Sequence, residues 1–297
     1  MTEARREAVY RLGLIGWPLE HSLSPHIHAA ALQAAGLKGT YQLFPILPLP
    51  EGAGGLQRVF DRLRRQEVHG VNVTIPHKWT VLDSLDGLTE AAAAIGAVNL
   101  IYRDGERLLG DNSDAPALYL DIGNRFGWGA QSGVALVLGA GGAARAAAYV
   151  LLTQGWQVYV AARKVEQAQQ LLTDLTHHVE GVRNNPLALS LNTPSLEQVK
   201  SCDLLVNATP VGMPPLADVS PWPASLSLPV GACVYDMVYN PAETLLIKTA
   251  RVAGQQATNG LGMLVEQAAL SFERWTGRAA SRQAMYSAAS ASLDTIG

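Results

Sequence analysis

A chain of 297 residues exceeds what one hydrophobic core usually organises, so two domains are expected, with enough buried surface to need no disulfide staple. An apolar fraction of 48%, a charged fraction of 16% and a net charge of −3 describe a soluble globular protein without the basic stripe that holds nucleic acid or an anionic membrane. The two cysteines, Cys202 and Cys233, lack the paired spacings of a zinc site, so each reads as an inert buried thiol in a reducing, cytoplasmic compartment, and no metal is expected.

The first eleven residues are mixed in charge and lack the apolar stretch of a secretory signal, so the mature chain is expected to begin near where the sequence does. A strand over 10–16, a helix from Pro25, a strand over 40–46, a helix around 56–66 and a strand over 70–75 then alternate, which predicts a mostly parallel α/β sheet. An Ala-rich helix over 90–95 follows. Two strand-like runs, 99–103 and 106–110, flank Asp104-Gly105, a pair that favours a tight hairpin. With those two residues as the loop, Asn99 faces Gly110 beside Asp111, and the hairpin brings Asn99 to the segment ending in Asp114.

After Gly133 the alternation restarts with a strand over 134–138, a glycine loop, a helix to Gln154 and a strand over 157–161, which together read as a nucleotide-binding βαβ unit. The apolar stretch 134–152 is interrupted by Arg145, Gly139, Gly141 and Gly142, which suits strand, loop and helix better than a membrane span. Further strands are expected over 204–207 and 233–237. Asn259-Gly260 leads into a closing helix over about 263–275, and another apolar helix fills the C-terminus.

The loop Gly139-Ala140-Gly141-Gly142-Ala143-Ala144 follows an apolar strand and opens a helix, the context that gives this common pattern meaning. Its glycines allow a tight turn and close backbone approach, while free N–H groups and the helix dipole favour the pyrophosphate of a dinucleotide. A glycine-rich turn that packs for its own sake is the alternative. At the end of the next strand, where an NAD enzyme places a carboxylate for the ribose 2′-hydroxyl, stand Ala162-Arg163-Lys164. Two cations suit a 2′-phosphate. A solvated basic turn would look the same, and Glu166 nearby leaves NAD open.

Ser22, Ser24, Thr74 and Lys78 each follow an expected strand, the place where open α/β sheets hold ligands. Ser24 before Pro25 looks like an N-cap whose hydroxyl and neighbouring N–H groups could receive a carboxylate, although capping alone would account for it. Lys78 suits chemistry, because reducing a ketone by hydride leaves an alkoxide that an ammonium stabilises and protonates. Asp114 could orient it. Each alone would read as a solvated charge, so the case rests on the set, which includes Asn99 and Gln267.

Five separated motifs, in order, carry a resemblance: Gly16-Trp-Pro-Leu-Glu-His-Ser22-Leu-Ser24-Pro25, Asn72-Val-Thr74-Ile-Pro76-His-Lys78, Gly96-Ala-Val-Asn99, Gly110-Asp-Asn-Ser-Asp114 and Asn259-Gly-Leu-Gly-Met-Leu-Val-Glu-Gln267. Over nearly its whole length the chain resembles the shikimate dehydrogenase family. The resemblance implies an NADP-linked oxidoreductase that interconverts 3-dehydroshikimate and shikimate in aromatic amino-acid (chorismate) biosynthesis. It implies that Ser22 and Ser24 bind the substrate carboxylate, that Thr74, Asn99 and Gln267 bind ring hydroxyls, and that Lys78 and Asp114 are the catalytic pair. Asn207-Ala-Thr209-Pro210 and Met237-Val-Tyr239 look like the segments beside the cofactor, with Thr209 on it, Met237 and Gly260 near the nicotinamide and Tyr239 near the substrate. The implied architecture is a substrate domain of residues 1–113 and 262–297, a Rossmann NADP-binding domain of 114–261, and an active site in the cleft between them. A monomer or homodimer with a small-molecule substrate is implied.

The chain departs from the family at Ser113 and Ala115, where Asn-Thr-Asp-Gly is common, and at Ala162 and Lys164, where Asn-Arg-Thr is common. Leu100 and Ala144 replace a frequent Thr and Ser. Two rivals stay open: an NAD-preferring enzyme acting on quinate as well as shikimate, and a non-catalytic NADP-binding regulator on the same fold.

Overall fold

The computed structural model describes residues 9–128, 132–179, 185–199 and 201–296, so most of the opening segment discussed above, through residue 8, lies outside the described residues. The chain forms two compact units, one of residues up to Ser113 together with those from Val265 on, the other Asp114–Leu264.

In the first unit β1 (Val9–Gly16) is buried continuously over its last five residues, the pattern of a parallel strand covered on both faces. After α1 (Ser24–Ala34), β2 (Lys38–Pro45) forms the sheet edge, with every other residue exposed. In α2 (Ala53–Arg64) the apolar Leu56, Val59, Phe60 and Leu63 recur at helical spacing, and this stripe packs into a core with Ile15, Val71, Val73 and Ile101. Then come β3 (Gly70–Val73), the two-residue β4 (Gly87–Leu88), α3 (Glu90–Ile95), β5 (Leu100–Asp104) and β6 (Arg107–Asp111). Helix α3 begins and ends by local chemistry: the Thr89 hydroxyl accepts the Ala92 N–H, and Gly96 terminates it at φ 69. The sheet order is β2-β1-β3-β5-β6-β4, parallel among β2, β1 and β3 and antiparallel where the β5–β6 hairpin inserts.

The hairpin register differs from the expected one by one residue on each strand. Asp104 pairs with Arg107, so Gly105-Glu106 is the loop, and Ile101, not Asn99, faces Gly110. The reason is the turn type: Gly105 takes φ +61 at the first loop position, as glycine does in a type II′ turn, whereas an Asp-Gly loop would need a positive φ at Asp104 too. The functional consequence survives, because the Asn99 N–H still donates to the Asp111 carbonyl at 3.1 Å.

The second unit runs α4 (Asp114–Phe126), β7 (Val134–Leu138), α5 (Gly142–Thr153), β8 (Gln157–Ala162), α6 (Val165–His178), β9 (Leu187–Ser190), α7 (Thr193–Leu196), β10 (Leu204–Asn207), β11 (Cys233–Asp236), α8 (Leu245–Val252) and β12 (Ala257–Asn259). All of its strands are parallel, in the order β12-β11-β10-β7-β8-β9. That is a doubly wound Rossmann sheet whose order reverses between β7 and β10, the switch point where such sheets bind nucleotides. Helix α9 (Leu261–Thr276) starts in this unit and ends in the first, and α10 (Arg282–Ile296) completes the chain. Arg282 joins these last two helices, meeting Glu266 at 2.7 Å and Glu273 at 2.8 Å.

Candidate active site

Ser24 is the first residue of α1 and not its cap, which corrects the expected capping role. Leu23 occupies the cap position, and its carbonyl already accepts from His26 and Ile27. The Ser24 side chain is buried beside Tyr41, whose own hydroxyl pKa is raised by burial. Ser22, not Ser24, makes the local turn: its Oγ accepts the Ser24 N–H at 3.3 Å. The first turn of α1 thus has its N–H groups engaged locally, Ser24 by Ser22 Oγ and His26 and Ile27 by the Leu23 carbonyl, while Pro25 has none to offer.

The same burial isolates His28, which is 0% exposed and stacks on Tyr41 with ring centroids 4.2 Å apart. Among the described residues neither ring nitrogen has a hydrogen-bond partner, because the neighbouring Asn72 amide directs its hydrogens to Asn99 and Ser271. Burial drives the His28 pKa down from 6.5 to about 3. Below its ordinary value an unfolded chain takes up a proton that the folded ring refuses, so stability falls from about pH 6.5 downward until the folded ring itself protonates. We expect His28 to remove about 3 kcal/mol by about pH 4, and His28→Phe to flatten the unfolding free energy over that range in urea titrations. An unchanged slope would show that the ring accepts the proton in place.

Beyond β3 the chain forms the turn carrying Thr74 and Lys78, both half-buried. The Thr74 N–H donates to the Ile15 carbonyl at 2.8 Å, and the Lys78 carbonyl accepts from Val98 at 2.7 Å. Between them the buried His77 ring spans Ile46 and Thr80: Nε2 lies 2.8 Å from the Ile46 carbonyl and so carries the proton, while Nδ1 accepts from the Thr80 hydroxyl at 3.1 Å. The backbone under Lys78 is therefore fixed on both sides. Ile75 and Trp79, 72% and 68% exposed, flank it.

Asn99 is 2% exposed and its amide engages Ser113: Oδ1 accepts the Ser113 N–H at 2.7 Å, and Nδ2 donates to the Ser113 hydroxyl at 3.0 Å. That hydroxyl also lies 3.2 Å from the Gln267 carbonyl. Asn72 extends the network, donating to the Asn99 carbonyl at 3.1 Å and to Ser271 at 2.8 Å, and accepting the Tyr41 hydroxyl at 2.9 Å. Ser24, Tyr41, Asn72, Asn99, Ser113, Gln267 and Ser271 thus belong to one largely buried polar floor, of which Tyr41 and Ser271 carried no signal in the sequence. Asp114 follows Ser113 directly and opens α4, where its carboxylate suits the positive end of the helix dipole. Lys78 belongs to the first unit and Asp114 begins the second.

In the second unit every candidate cofactor residue stands at the carboxyl end of a strand or just beyond it. Gly139, after β7, has φ +115, and a Cβ there would lie 3.0 Å from the Ala208 carbonyl, so only glycine suits the turn. Gly141 and Gly142 face open space, and Ala140 and Ala143 add only methyl groups to the loop. Helix α5 starts there with no side-chain cap and no acidic residue in its first turn among the described residues. This bare, open helix start fits a pyrophosphate. Arg163 and Lys164, after β8, are exposed, as is Glu166. Thr209 follows β10, and Met237 and Tyr239 follow β11, where burial raises the Tyr239 pKa. Gly260 crosses this last segment so closely that a Cβ would lie 2.3 Å from the Met237 carbonyl.

Among the described residues no cluster of three or more His, Cys, Asp or Glu could hold a metal, and no helix is long and apolar enough to cross a membrane.

A mixed α/β unit with a polar floor and a doubly wound unit with a glycine loop define a two-domain, dinucleotide-linked dehydrogenase. Residues 14–101 match the shikimate dehydrogenase substrate binding domain, and residues 260–289 match the shikimate 5′-dehydrogenase C-terminal domain. The shikimate dehydrogenase (NADP(+)) of Salinibacter ruber is 40% identical over 93% of this chain and 95% of its own. Among solved structures, shikimate 5-dehydrogenase from Thermus thermophilus in complex with NADP(H) and shikimate is 36% identical with a TM-score of 0.82, covering 95% of this chain and 99% of that one. Quinate dehydrogenase from Corynebacterium glutamicum in complex with NAD is 30% identical with a TM-score of 0.84, covering 94% of this chain and 98% of that one. The chain belongs to the shikimate dehydrogenase family.

Proposed function

We propose that this chain is an NADP-dependent shikimate dehydrogenase of the cytoplasm, a monomer or homodimer that reversibly reduces 3-dehydroshikimate to shikimate for aromatic amino-acid biosynthesis. The observation that carries the reading is the coexistence of the glycine loop and exposed Arg163-Lys164 pair with a polar floor built from the family's substrate motifs. NADPH supplies the hydride for the ketone carbon when bound. Lys78 then gives its proton to the carbonyl oxygen, and Asp114 orients Lys78 and a substrate hydroxyl. Ser22 and Ser24 receive the carboxylate, while Thr74, Asn99 and Gln267 take the ring hydroxyls. Gly139, Ala140, Gly141, Gly142 and Ala143 cradle the pyrophosphate, and Arg163 and Lys164 hold the 2′-phosphate. Thr209, Met237 and Gly260 line the nicotinamide end, and Tyr239 stands near the substrate.

Nicotinamide absorbance with shikimate and NADP tests this reading: steady turnover is expected, and no turnover of shikimate or quinate would move the protein to the regulator. The similarity to an NAD-bound quinate dehydrogenase supports a second reading, NAD-linked quinate oxidation, which the same assay with NAD and quinate measures. Replacing Arg163 and Lys164 together by alanine is expected to raise the KM for NADP about 10–100-fold, because charge-assisted bonds to phosphate are lost. The KM for NAD should stay within about twofold, since NAD has no 2′-phosphate. Equal losses with both cofactors would place the pair elsewhere.

A further inference from the structure

The segments after β10 and β11 are tied together by a buried polar node formed by Asn207, Asp236 and Thr244, which are 0%, 0% and 1% exposed. Asn207 spends its whole amide there. Its Oδ1 accepts the Thr209 N–H at 3.0 Å and hydroxyl at 2.7 Å, while Nδ2 donates to Asp236 Oδ1 at 2.8 Å and the Val211 carbonyl at 3.0 Å. Asp236 Oδ1 also accepts the Val238 N–H at 3.0 Å, and its Oδ2 accepts the Thr244 hydroxyl at 2.6 Å. Thr244 in turn caps α8 by accepting the Ile247 N–H at 3.3 Å. Gly212, at φ +108, closes over the node, where a Cβ would sit 3.2 Å from Thr244 Cγ2.

A fully buried carboxyl whose three hydrogen-bonding partners are all neutral is a costly way to end a strand, and a packed apolar side chain would be cheaper. What the node achieves is geometry. It holds the backbones of Thr209, Val211 and Val238, and Met237 between them is pinned by its N–H to the Asn207 carbonyl at 3.0 Å. Asn207 and Asp236 are too buried to touch a ligand themselves, whereas Thr209, Met237 and Tyr239 retain exposure.

We propose that Asp236 is a positioning residue for the nicotinamide half of the cofactor: by bonding Asn207, Val238 and Thr244 at once, it locks the two segments that present Thr209 and Met237. This rests on the NADP-linked function above. Asp236→Asn keeps an oxygen for Asn207 and Val238 but turns an amide toward the Thr244 hydroxyl, and Thr244→Val removes that hydroxyl altogether. Thr244→Ser restores it.

In the full-length protein four quantities decide the matter: the NADPH dissociation constant from nicotinamide fluorescence, the shikimate dissociation constant from calorimetry without cofactor, kcat, and the thermal unfolding midpoint. For Asp236→Asn and Thr244→Val, NADPH affinity is expected to fall about tenfold and kcat about 10–100-fold, as small misplacements do. Shikimate affinity should stay within about twofold, and Thr244→Ser should match the parent. A merely structural role would lower the unfolding midpoint without separating cofactor affinity from substrate affinity. The proposal is overturned if a folded variant keeps NADPH affinity and kcat within about twofold of the parent, or if shikimate affinity falls in step. Should Asp236→Asn fail to fold, the Thr244→Val and Thr244→Ser pair decides alone. A parent that binds NADPH but turns over neither shikimate nor quinate overturns the enzymatic reading, and the fluorescence titrations still decide the role of Asp236.

Discussion

Replacing Lys78 by alanine is expected to lower turnover of shikimate with NADP by about 10²–10⁴-fold while shikimate still binds. Hydride arrival at the ketone carbon creates an alkoxide, and a positioned ammonium both stabilises that charge and supplies the proton. The loss should be chemical because main-chain and His77 contacts anchor the backbone of this turn. The Lys78 carbonyl is held by the Val98 N–H and its preceding residue by the buried His77 ring, and the lysine side chain is half-exposed, so truncation leaves no buried cavity. Accordingly kcat and kcat/KM should fall together, the signature of an interaction made in the transition state. Lys78→Arg preserves the charge but holds its proton too tightly to pass it on, so it should bind shikimate and stay slow. Turnover by Lys78→Ala equal to that of the parent would remove Lys78 from the mechanism.

The second large effect is on stability. Gly262 lies in the motif that opens α9, and a Cβ there would stand 2.0 Å from Asp121 Oδ1. Asp121 cannot retreat freely: it is 4% exposed, accepts the Tyr235 hydroxyl at 2.6 Å and pairs with Arg125 at 3.2 Å. Tyr235 is itself fully buried, and its pKa is raised first by burial and then by the Asp121 charge, so it stays a neutral donor. Gly262→Ala must therefore break a buried bond or shift α9 against α4, and about 3 kcal/mol should be lost in urea unfolding monitored within the second unit. A loss below about 1 kcal/mol would mean that the Asp121–Tyr235 pair yields without cost.

The elements that read clearly from the chain are those whose pattern is local. Strands β1, β7, β8 and β10 are short apolar runs, the stripe of α2 recurs at helical spacing, and the glycine loop follows its strand directly. The strands left unread were the two-residue β4 and the sheet-edge β9 and β12, which are short and only partly buried. The Asp104-Gly105 pair announced the hairpin, but the Arg107 pairing of Asp104 set its register. For Ser24 the neighbouring Pro25 suggested a cap, and only the placement of Leu23 at the cap position of α1 showed otherwise.

By itself the sequence determined the fold class and the family and named the candidate chemical groups, because periodicity, glycine turns and short motifs act between residues close in the chain. The tertiary structure alone decided which of those groups are buried and what holds them. Asn72 meets Tyr41 across 31 positions and Ser271 across 199, and Tyr235 meets Asp121 across 114. Such hydrogen bonds form only where sheet order and helix packing bring distant segments together, and once water is excluded each donor and acceptor must find its partner there.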